Sequence, residues 1–198
     1  MDPKQPSPER YKGLDYPWGR ADTPAPTEPR KVADGVYWAR FPMPMSLDHI
    51  NIWLLEDGDG WTVVDTCLGI KSAKEVWESL FTGFMAGKPV KRVICTHLHP
   101  DHVGLAGWLT ERFDCELWMS REEFLMCRAM AADTGRPAPD VALRFYRAAG
   151  YDEEQLERYK KKFGNFGRAI SPLPDSFRRI VDRETITIGG RYWQVIVG

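Results

Sequence analysis

The segment from Thr96 to His102, THLHPDH, holds three of the chain's four histidines and one aspartate within seven residues. Side chains alternate in an extended segment, so His97 and His99 can converge on one point while Leu98 between them faces the core. Imidazole nitrogens are common ligands of zinc and other transition metals. This spacing therefore predicts half of a metal site at His97 and His99.

The second half of the motif lies where the chain turns into a helix. Pro100 and Asp101 make that turn, and the free backbone N–H groups at a helix start favour an ionised carboxylate there. Asp101 and His102 can therefore face a second point, and two-metal sites place their ions about 3.5 to 4 Å apart. We interpret these two residues, together with His97 and His99, as metal ligands. Surface or capping histidines without a metal are the alternative interpretation.

The segments around the motif predict a layered α/β fold. Alternating and continuous apolar runs, with an Asp-Gly turn at residues 57–60, predict strands in GVYWARF, INIWLLE, WTVVDT, KRVICT and ELWM. A capping box from Ser72 to Glu75 predicts the start of a helix before the histidines. Apolar residues four apart predict a second helix after them, at Leu105 and Leu109. Sheets covered by helices fit this order.

Two further regions depart from this alternation. Residues 1–30 hold seven of the fifteen prolines and predict an extended or disordered arm, so that the domain spans 31–198. Residues 120 to about 170 predict a helical insertion, because capping boxes begin at Ser120 and at Asp152, with Glu123 and Gln155 as their partners. The chain then returns to strands in FRRIV and in a hairpin around Gly189 and Gly190.

Composition limits the partners and the compartment. The 27 basic and 28 acidic residues nearly cancel, so the sequence predicts a small-molecule substrate and neither a nucleic acid nor a membrane partner. The four cysteines form no CxxC pair and are interpreted as reduced thiols rather than disulfides. No segment approaches the ~20 apolar residues of a membrane span. A single-domain cytoplasmic protein is the resulting prediction.

The motif, together with VVDT at residues 63–66, resembles the metallo-β-lactamase-fold hydrolase superfamily. The resemblance implies an αββα sandwich over 31–198 with a binuclear metal site at one edge. It implies that His97 and His99 bind the first metal, and that the second metal is bound by Asp101 and His102. Asp65 matches an aspartate that holds the motif in place behind the ligands. A turn-forming aspartate at the end of a strand is the alternative.

The same resemblance implies a metal-dependent hydrolase. Two metals are expected in a complete site, with zinc as the first expectation and iron or manganese as alternatives. They would activate a water that attacks an ester, thioester, lactone or amide carbonyl. Asp101 would serve as the catalytic residue that accepts and passes on a proton.

Two features depart from the family pattern. Cys67 stands where the family has glycine, which predicts either a thiol near the site or a small buried cysteine. The family's later ligands, a GHxxxH histidine, a bridging aspartate and a final histidine, do not occur after His102. His49 could line the mouth of the site but is a poor replacement for them.

The ligand count leads to a prediction of a C-terminally incomplete domain, the N-terminal half of the sandwich. Each metal position would have two protein ligands where zinc usually has three and a water. We therefore expect weak zinc binding, little turnover, and association of the uncovered faces into a homo-oligomer. A catalytically silent half-domain acting as an interaction fragment, and a nucleic-acid-processing member of the same superfamily, stay open as alternatives.

Overall fold

The computed structural model describes residues 8–19 and 22–198. Its strands are β1 (Glu9–Tyr11), β2 (Leu14–Tyr16), β3 (Arg30–Ala33), β4 (Val36–Pro42), β5 (His49–Asp57), β6 (Gly60–Val64), β7 (Val90–Ile94), β8 (Glu116–Met119), β9 (Arg178–Arg179), β10 (Thr185–Ile188) and β11 (Arg191–Gln194). Its helices are α1 (Lys71–Thr82), α2 (Pro100–Val103), α3 (Ala106–Phe113), α4 (Arg121–Ala132), α5 (Asp140–Ala148) and α6 (Glu153–Lys162), with a 3-10 turn at Phe166–Arg168. The predicted α/β class is confirmed.

The central sheet contains strands β3 to β9 in the order of the chain. Strands β3 to β6 pair antiparallel, and β6 to β9 pair parallel. Parallel pairing needs crossover connections, which the helices between these strands supply. The histidine motif directly follows β7, so it lies at the carboxyl edge of the parallel strands, where open α/β sheets place their ligands.

Alternate residues of the central strands point to opposite faces of the sheet. Val93 faces the helices and packs in the main core with Trp77 of α1 and Leu109 of α3. Its neighbour Ile94 faces the other side and packs with Ile186 of the β10–β11 hairpin. The helical layer therefore covers one face of the sheet, and the hairpin covers part of the other.

Asp57 fastens that hairpin to the sheet. Its carboxylate accepts hydrogen bonds from the Thr62 hydroxyl at 2.8 Å and from the Gly189 N–H at 3.0 Å, and it pairs with Arg92 at 2.9 Å. Burial by itself raises the pKa of Asp57, but the two hydrogen bonds and the arginine charge outweigh burial and hold that pKa below its usual value. The ionised carboxylate is therefore part of the folded structure.

The start of α1 differs from its prediction. The helix begins at Lys71 after Ile70, whose backbone is extended and whose side chain forms no capping hydrogen bond. Ser72 lies inside the first turn, so the predicted box with Glu75 is wrong. Ile70 packs against the main core, and the helix begins two residues too early for Ser72 to cap it.

The N-terminal arm also contains structure that its composition did not predict. Strands β1 and β2 form an antiparallel hairpin. The following residues lie against β4, where the ring of Trp18 is 6.3 Å from that of Trp38 and Arg40 donates to the Thr23 hydroxyl at 2.8 Å. Residues 1–7 and 20–21 of the predicted arm lie outside the described residues.

The later segments combine agreement and difference. Residues 121–168 contain only helical elements, the 3-10 turn included, and Asp152 and Gln155 form the reciprocal capping box. The predicted strand in FRRIV is reduced to β9, whereas the turn at Gly189 and Gly190 joins β10 to β11. Among the described residues, no helix is both long enough and apolar enough to cross a membrane.

Candidate metal centre

The loop after β6 is bonded to the histidine motif through Thr66. Its backbone N–H and its hydroxyl both donate to the carbonyl of His102, at 2.7 and 2.8 Å. The same hydroxyl accepts from the N–H of Leu105 at 3.0 Å. These three bonds join the loop after β6 to His102 and Leu105. The motif is therefore held both by β7, which it follows, and by this neighbouring loop.

Close backbone packing explains the residues beside this loop. A Cβ at Gly104 would lie 2.5 Å from the carbonyl oxygen of Cys67 and 2.4 Å from that of Pro100, so only glycine fits there. Cys67 has a left-handed backbone, with φ of 69°, which glycine adopts more readily. Its side chain is fully buried, and burial raises the pKa of the thiol to about 12. The structure thus has a small buried cysteine at this position, and its thiol is neutral.

The four predicted ligand residues lie together at the end of β7. The Nε2 atom of His97 is 3.0 Å from the Nδ1 atom of His99. The Nε2 atom of His102 is 3.6 Å from the Oδ2 atom of Asp101. The rings of His97 and His102 are 3.9 Å apart between centroids, which brings the two pairs into one cluster. The expected convergence of the side chains is therefore observed, although residues 96–98 form a bend and not the extended segment that was expected. The role of the four residues as ligands stays a prediction.

Asp65 orients two of these histidines. Its carboxylate, 4% exposed, lies 2.8 Å from the Nδ1 atom of His102 and accepts the N–H of Thr96 at 2.8 Å. The Thr96 hydroxyl donates its one proton to Asp65 at 2.9 Å and lies 3.0 Å from the Nδ1 atom of His97. Both rings must therefore carry their proton on Nδ1, which leaves both Nε2 atoms unprotonated, with that of His97 facing the Nδ1 atom of His99. This assignment follows from the hydrogen-bond partners.

The histidines differ in how strongly they hold a second proton. Burial lowers the pKa of His97, and the nearby His102 and His99 lower it further, so His97 is neutral at pH 7. Burial also lowers the pKa of His102, but the hydrogen bond to Asp65 and the charges of Asp65 and Asp101 outweigh it and raise that pKa overall. A metal that binds His102 therefore displaces a proton held more firmly than usual.

The donor set fits a divalent metal in chemistry and in spacing. Two nitrogens bound to one tetrahedral zinc ion are about 3.3 Å apart, because each lies about 2.05 Å from the metal. The donor atoms of His97 and His99 and those of Asp101 and His102 are within a few tenths of an ångström of that separation. The donors come as two pairs: in the described parts of the chain, no three His, Cys, Asp or Glu side chains form a single metal-binding group.

One contact to the motif was not predicted. The N–H of Leu98 donates to the Oε2 atom of Glu123 at 2.6 Å, across 25 residues of sequence. The sequence identified Glu123 only as a capping-box residue of α4. A glutamate at that position can accept either the N–H of the cap residue or an N–H from another segment, and the local sequence pattern does not distinguish these two partners.

His49 does not join the cluster. Its Nδ1 atom is 2.6 Å from Asp48 and 2.8 Å from Arg40, in a separate cleft that also contains Pro24 and Pro26. The interpretation of His49 as a residue at the mouth of the site is therefore wrong. It stands at the start of β5, and that strand pairs with β4 near the N-terminal arm.

A groove of about 870 Å³ begins beside His97. Thr96, His97 and Glu123 lie at its polar end. Its other walls are mostly apolar and come from the sheet face opposite the helices and from the last residues of the chain, with Trp53, Ile94 and Trp193 among them. His97 is therefore accessible from this side.

The chain is similar to proteins of one family. A sequence model of the metallo-beta-lactamase superfamily matches residues 45–197. The probable metallo-hydrolase YybB of Bacillus subtilis (strain 168) is 30% identical over 95 residues, which are 48% of this chain and 41% of that protein. The human acyl-coenzyme A thioesterase MBLAC2 is 29% identical over 83 residues, which are 38% of this chain and 29% of that protein.

Solved structures share the fold. A beta-lactamase domain protein from Burkholderia ambifaria matches with a TM-score of 0.72 and 35% identity, over 88% of this chain and 51% of that one. A metallo-beta-lactamase family protein from Thermus thermophilus matches with a TM-score of 0.66 and 25% identity, over 84% of this chain and 52% of that one. The chain thus spans about half the length of these structures and less than half of the two curated relatives.

Proposed function

Because this chain belongs to the metallo-beta-lactamase superfamily, we propose that its histidine cluster is the metal-binding part of a hydrolytic site. His97 and His99 would hold one metal, and Asp101 and His102 a second. Zinc is the first choice because imidazole and carboxylate donors suit it, while iron and manganese accept the same donors. The reaction would be hydrolysis of an ester, thioester, lactone or amide.

One observation carries this proposal, namely the arrangement of the donor atoms in two pairs with Asp65 behind them. Histidines that only fill a surface or cap a helix need no common carboxylate to set their tautomers. Here Asp65 contacts His102 directly and His97 through the Thr96 hydroxyl. Such orienting carboxylates are typical of metal-binding histidines.

The residues of the chain would have separate tasks. A bound divalent cation would supply an activated water and polarise the substrate carbonyl. His97 presents a neutral ring, because its pKa is low, and His102 is held by Asp65. Asp101 would hold the second metal through Oδ2, the atom 3.6 Å from His102, and its other carboxylate oxygen would accept a proton from the attacking water and pass it to the leaving group.

The substrate class is proposed from the relatives and from the groove. The name of the human relative supports a thioester, and the name of the bacterial relative supports hydrolysis in general. The groove beside His97 has a polar end and apolar walls, which suits an acyl group better than a polyanion. The balanced charge of the chain also disfavours a nucleic acid. A cytoplasmic location is part of the proposal, supported by four cysteines that are free thiols.

The experiment measures metal binding and turnover separately. The purified chain is loaded with zinc, manganese or iron, and bound metal is measured by mass spectrometry and by competition with a chromophoric chelator. We expect zinc binding weaker than at a three-ligand site, and slow hydrolysis of thioester or ester probes that stops when the metal is removed. His97→Ala and His102→Ala should each reduce bound zinc, whereas His49→Ala should not. Zinc binding unaffected by the first two variants, or hydrolysis confined to phosphodiesters, would refute the proposal.

A further inference from the structure

The carboxylate of Glu123 lies in an unusual place for a residue at the start of a helix. Ser120 caps α4 and accepts the N–H of Glu123 at 3.3 Å, which is one half of a capping box. In the other half, the glutamate side chain would return to the backbone N–H of the cap residue. Gln155 does this in α6, where it accepts the N–H of Asp152 at 2.8 Å. The Glu123 side chain instead reaches out of its helix to Leu98.

The N–H of Leu98 is a sensitive point of the motif. Leu98 separates His97 from His99, and its own side chain is partly buried against the main core. Residues 96–98 form a bend between β7 and α2, so the backbone at Leu98 sets the directions in which the two flanking histidines point. The core holds the Leu98 side chain, and Glu123 holds its backbone. At 2.6 Å, with an ionised acceptor, this bond is of the strong, charge-assisted kind.

We propose that Glu123 is a positioning residue that keeps His97 and His99 aimed at a common metal. The proposal rests on the metal role proposed above for the cluster. It makes the first turn of α4 part of the site, because the helix that begins at Arg121 supports the backbone between the two histidines. Glu123 acts through the backbone of Leu98 and touches neither histidine ring in this role.

Glu122 offers a matched control. It is the other glutamate in the first turn of α4, it lines the same groove, and its side chain is exposed. Both residues contribute the same charge at the same helix start, where negative charge stabilises the helix. Glu123→Ala and Glu122→Ala therefore remove equal charge and equal helix stabilisation. They differ in the bond to Leu98, which Glu123 alone provides among the described contacts of that amide.

The experiment compares Glu123→Ala, Glu123→Gln and Glu122→Ala with the unchanged chain. In the metal-free proteins, we expect Glu123→Ala to move the amide proton of Leu98 upfield and to weaken the cross-peaks between the His97 and His99 rings. The affinity of Glu123→Ala for zinc should be about tenfold lower than that of the unchanged chain, as is usual when a group that orients a ligand is removed. Glu123→Gln should be intermediate in both measurements, because its amide oxygen can accept the same bond without charge. Glu122→Ala should stay within twofold of the unchanged chain.

Two results would overturn the proposal. One is a zinc affinity of Glu123→Ala within twofold of that of Glu122→Ala, and the other is an unchanged Leu98 amide shift in Glu123→Ala. If Glu123→Ala does not fold, Glu123→Gln decides by the same two criteria. If the unchanged chain retains no zinc, the proposed function fails, and the metal-free amide shifts and ring cross-peaks decide the positioning role alone.

Discussion

Replacing Asp65 by asparagine should change which nitrogen of His102 carries the proton. Asparagine keeps the size of the side chain and tolerates the left-handed backbone of Asp65, with φ of 64°, so it adds little strain. Its oxygen can still accept the N–H of Thr96. Its NH₂ group then takes the place of the second oxygen and faces the Nδ1 atom of His102 as a donor. The ring must respond by moving its proton to Nε2, the atom that faces Asp101.

The magnitudes follow from the contacts. Asp65 accepts hydrogen bonds from the backbone and hydroxyl of Thr96 and from His102. A charged acceptor strengthens each bond by about 1 kcal/mol over a neutral one, so the free energy of unfolding should fall by roughly 2 to 3 kcal/mol. Loss of the orienting carboxylate should weaken zinc binding by about 10- to 100-fold. That factor corresponds to about 1.4 to 2.7 kcal/mol of binding free energy.

Three measurements separate these effects. Long-range nitrogen–proton NMR spectra of the metal-free protein at pH 8 report the tautomer of His102, urea unfolding reports stability, and chelator competition reports zinc affinity. Asp48→Asn is the control, because Asp48 makes the same kind of contact to His49 at 2.6 Å outside the cluster. The reasoning is refuted if Asp65→Asn keeps the proton of His102 on Nδ1 and binds zinc within twofold of the unchanged chain. An equal loss of affinity in Asp48→Asn would show that net charge alone is responsible.

Two further predictions concern stability and association. The pKa of Asp57 in the folded chain is below its unfolded value, so the stabilisation by this carboxylate is present above about pH 4 and is lost as the pH falls through the folded pKa. Urea unfolding at pH 7 should therefore show that Asp57→Asn lowers the free energy of unfolding by about 1 to 3 kcal/mol, and that this difference shrinks at lower pH. The exposed Asp59→Asn should show no such loss. The chain should self-associate through its groove, where Trp53 and Ile196 are exposed. Sedimentation velocity should therefore show that Trp53→Lys and Ile196→Lys each shift the chain toward monomer. Val141→Lys on α5 should leave the association unchanged. A pH-independent effect of Asp57→Asn, or a monomeric unchanged chain, would contradict these expectations.

The parts of the fold that follow local patterns could be predicted from the sequence. The strands around the histidines were predicted because alternate side chains face opposite layers. His97 and His99, however, meet across a bend at residues 96–98, which strand alternation did not predict. The boundary of α1 at Ile70 could not be predicted, because core packing rather than a polar cap decides where that helix begins. Cys67 shows the same limit, since its backbone is left-handed and its carbonyl packs closely against Gly104, a contact between residues 37 apart.

The candidate site was predictable only in part for a similar reason. Its ligand-type residues are close in sequence, and spacing alone identifies them. The bond from Leu98 to Glu123 joins residues 25 apart, and it exists because α4 happens to begin beside the motif. A capping pattern identifies Glu123 but does not show whether its carboxylate will accept a hydrogen bond from the N–H of Ser120 or from the N–H of Leu98. That choice depends on tertiary structure.

The order of the residues along the chain bears on when the cluster can form during folding. Asp65 and His102 are 37 residues apart, and every side chain of the cluster lies between them or at these two positions. Closing a loop of this length costs little more entropy than closing a shorter one, because the cost grows only with the logarithm of length. During synthesis the N-terminal part folds first, so strands β6 and β7 with the helix between them can assemble all the donors before α4 is made. Under the proposed function, a nascent chain could therefore bind metal early, and the proposed role of Glu123 would add to that binding only after α4 has been made.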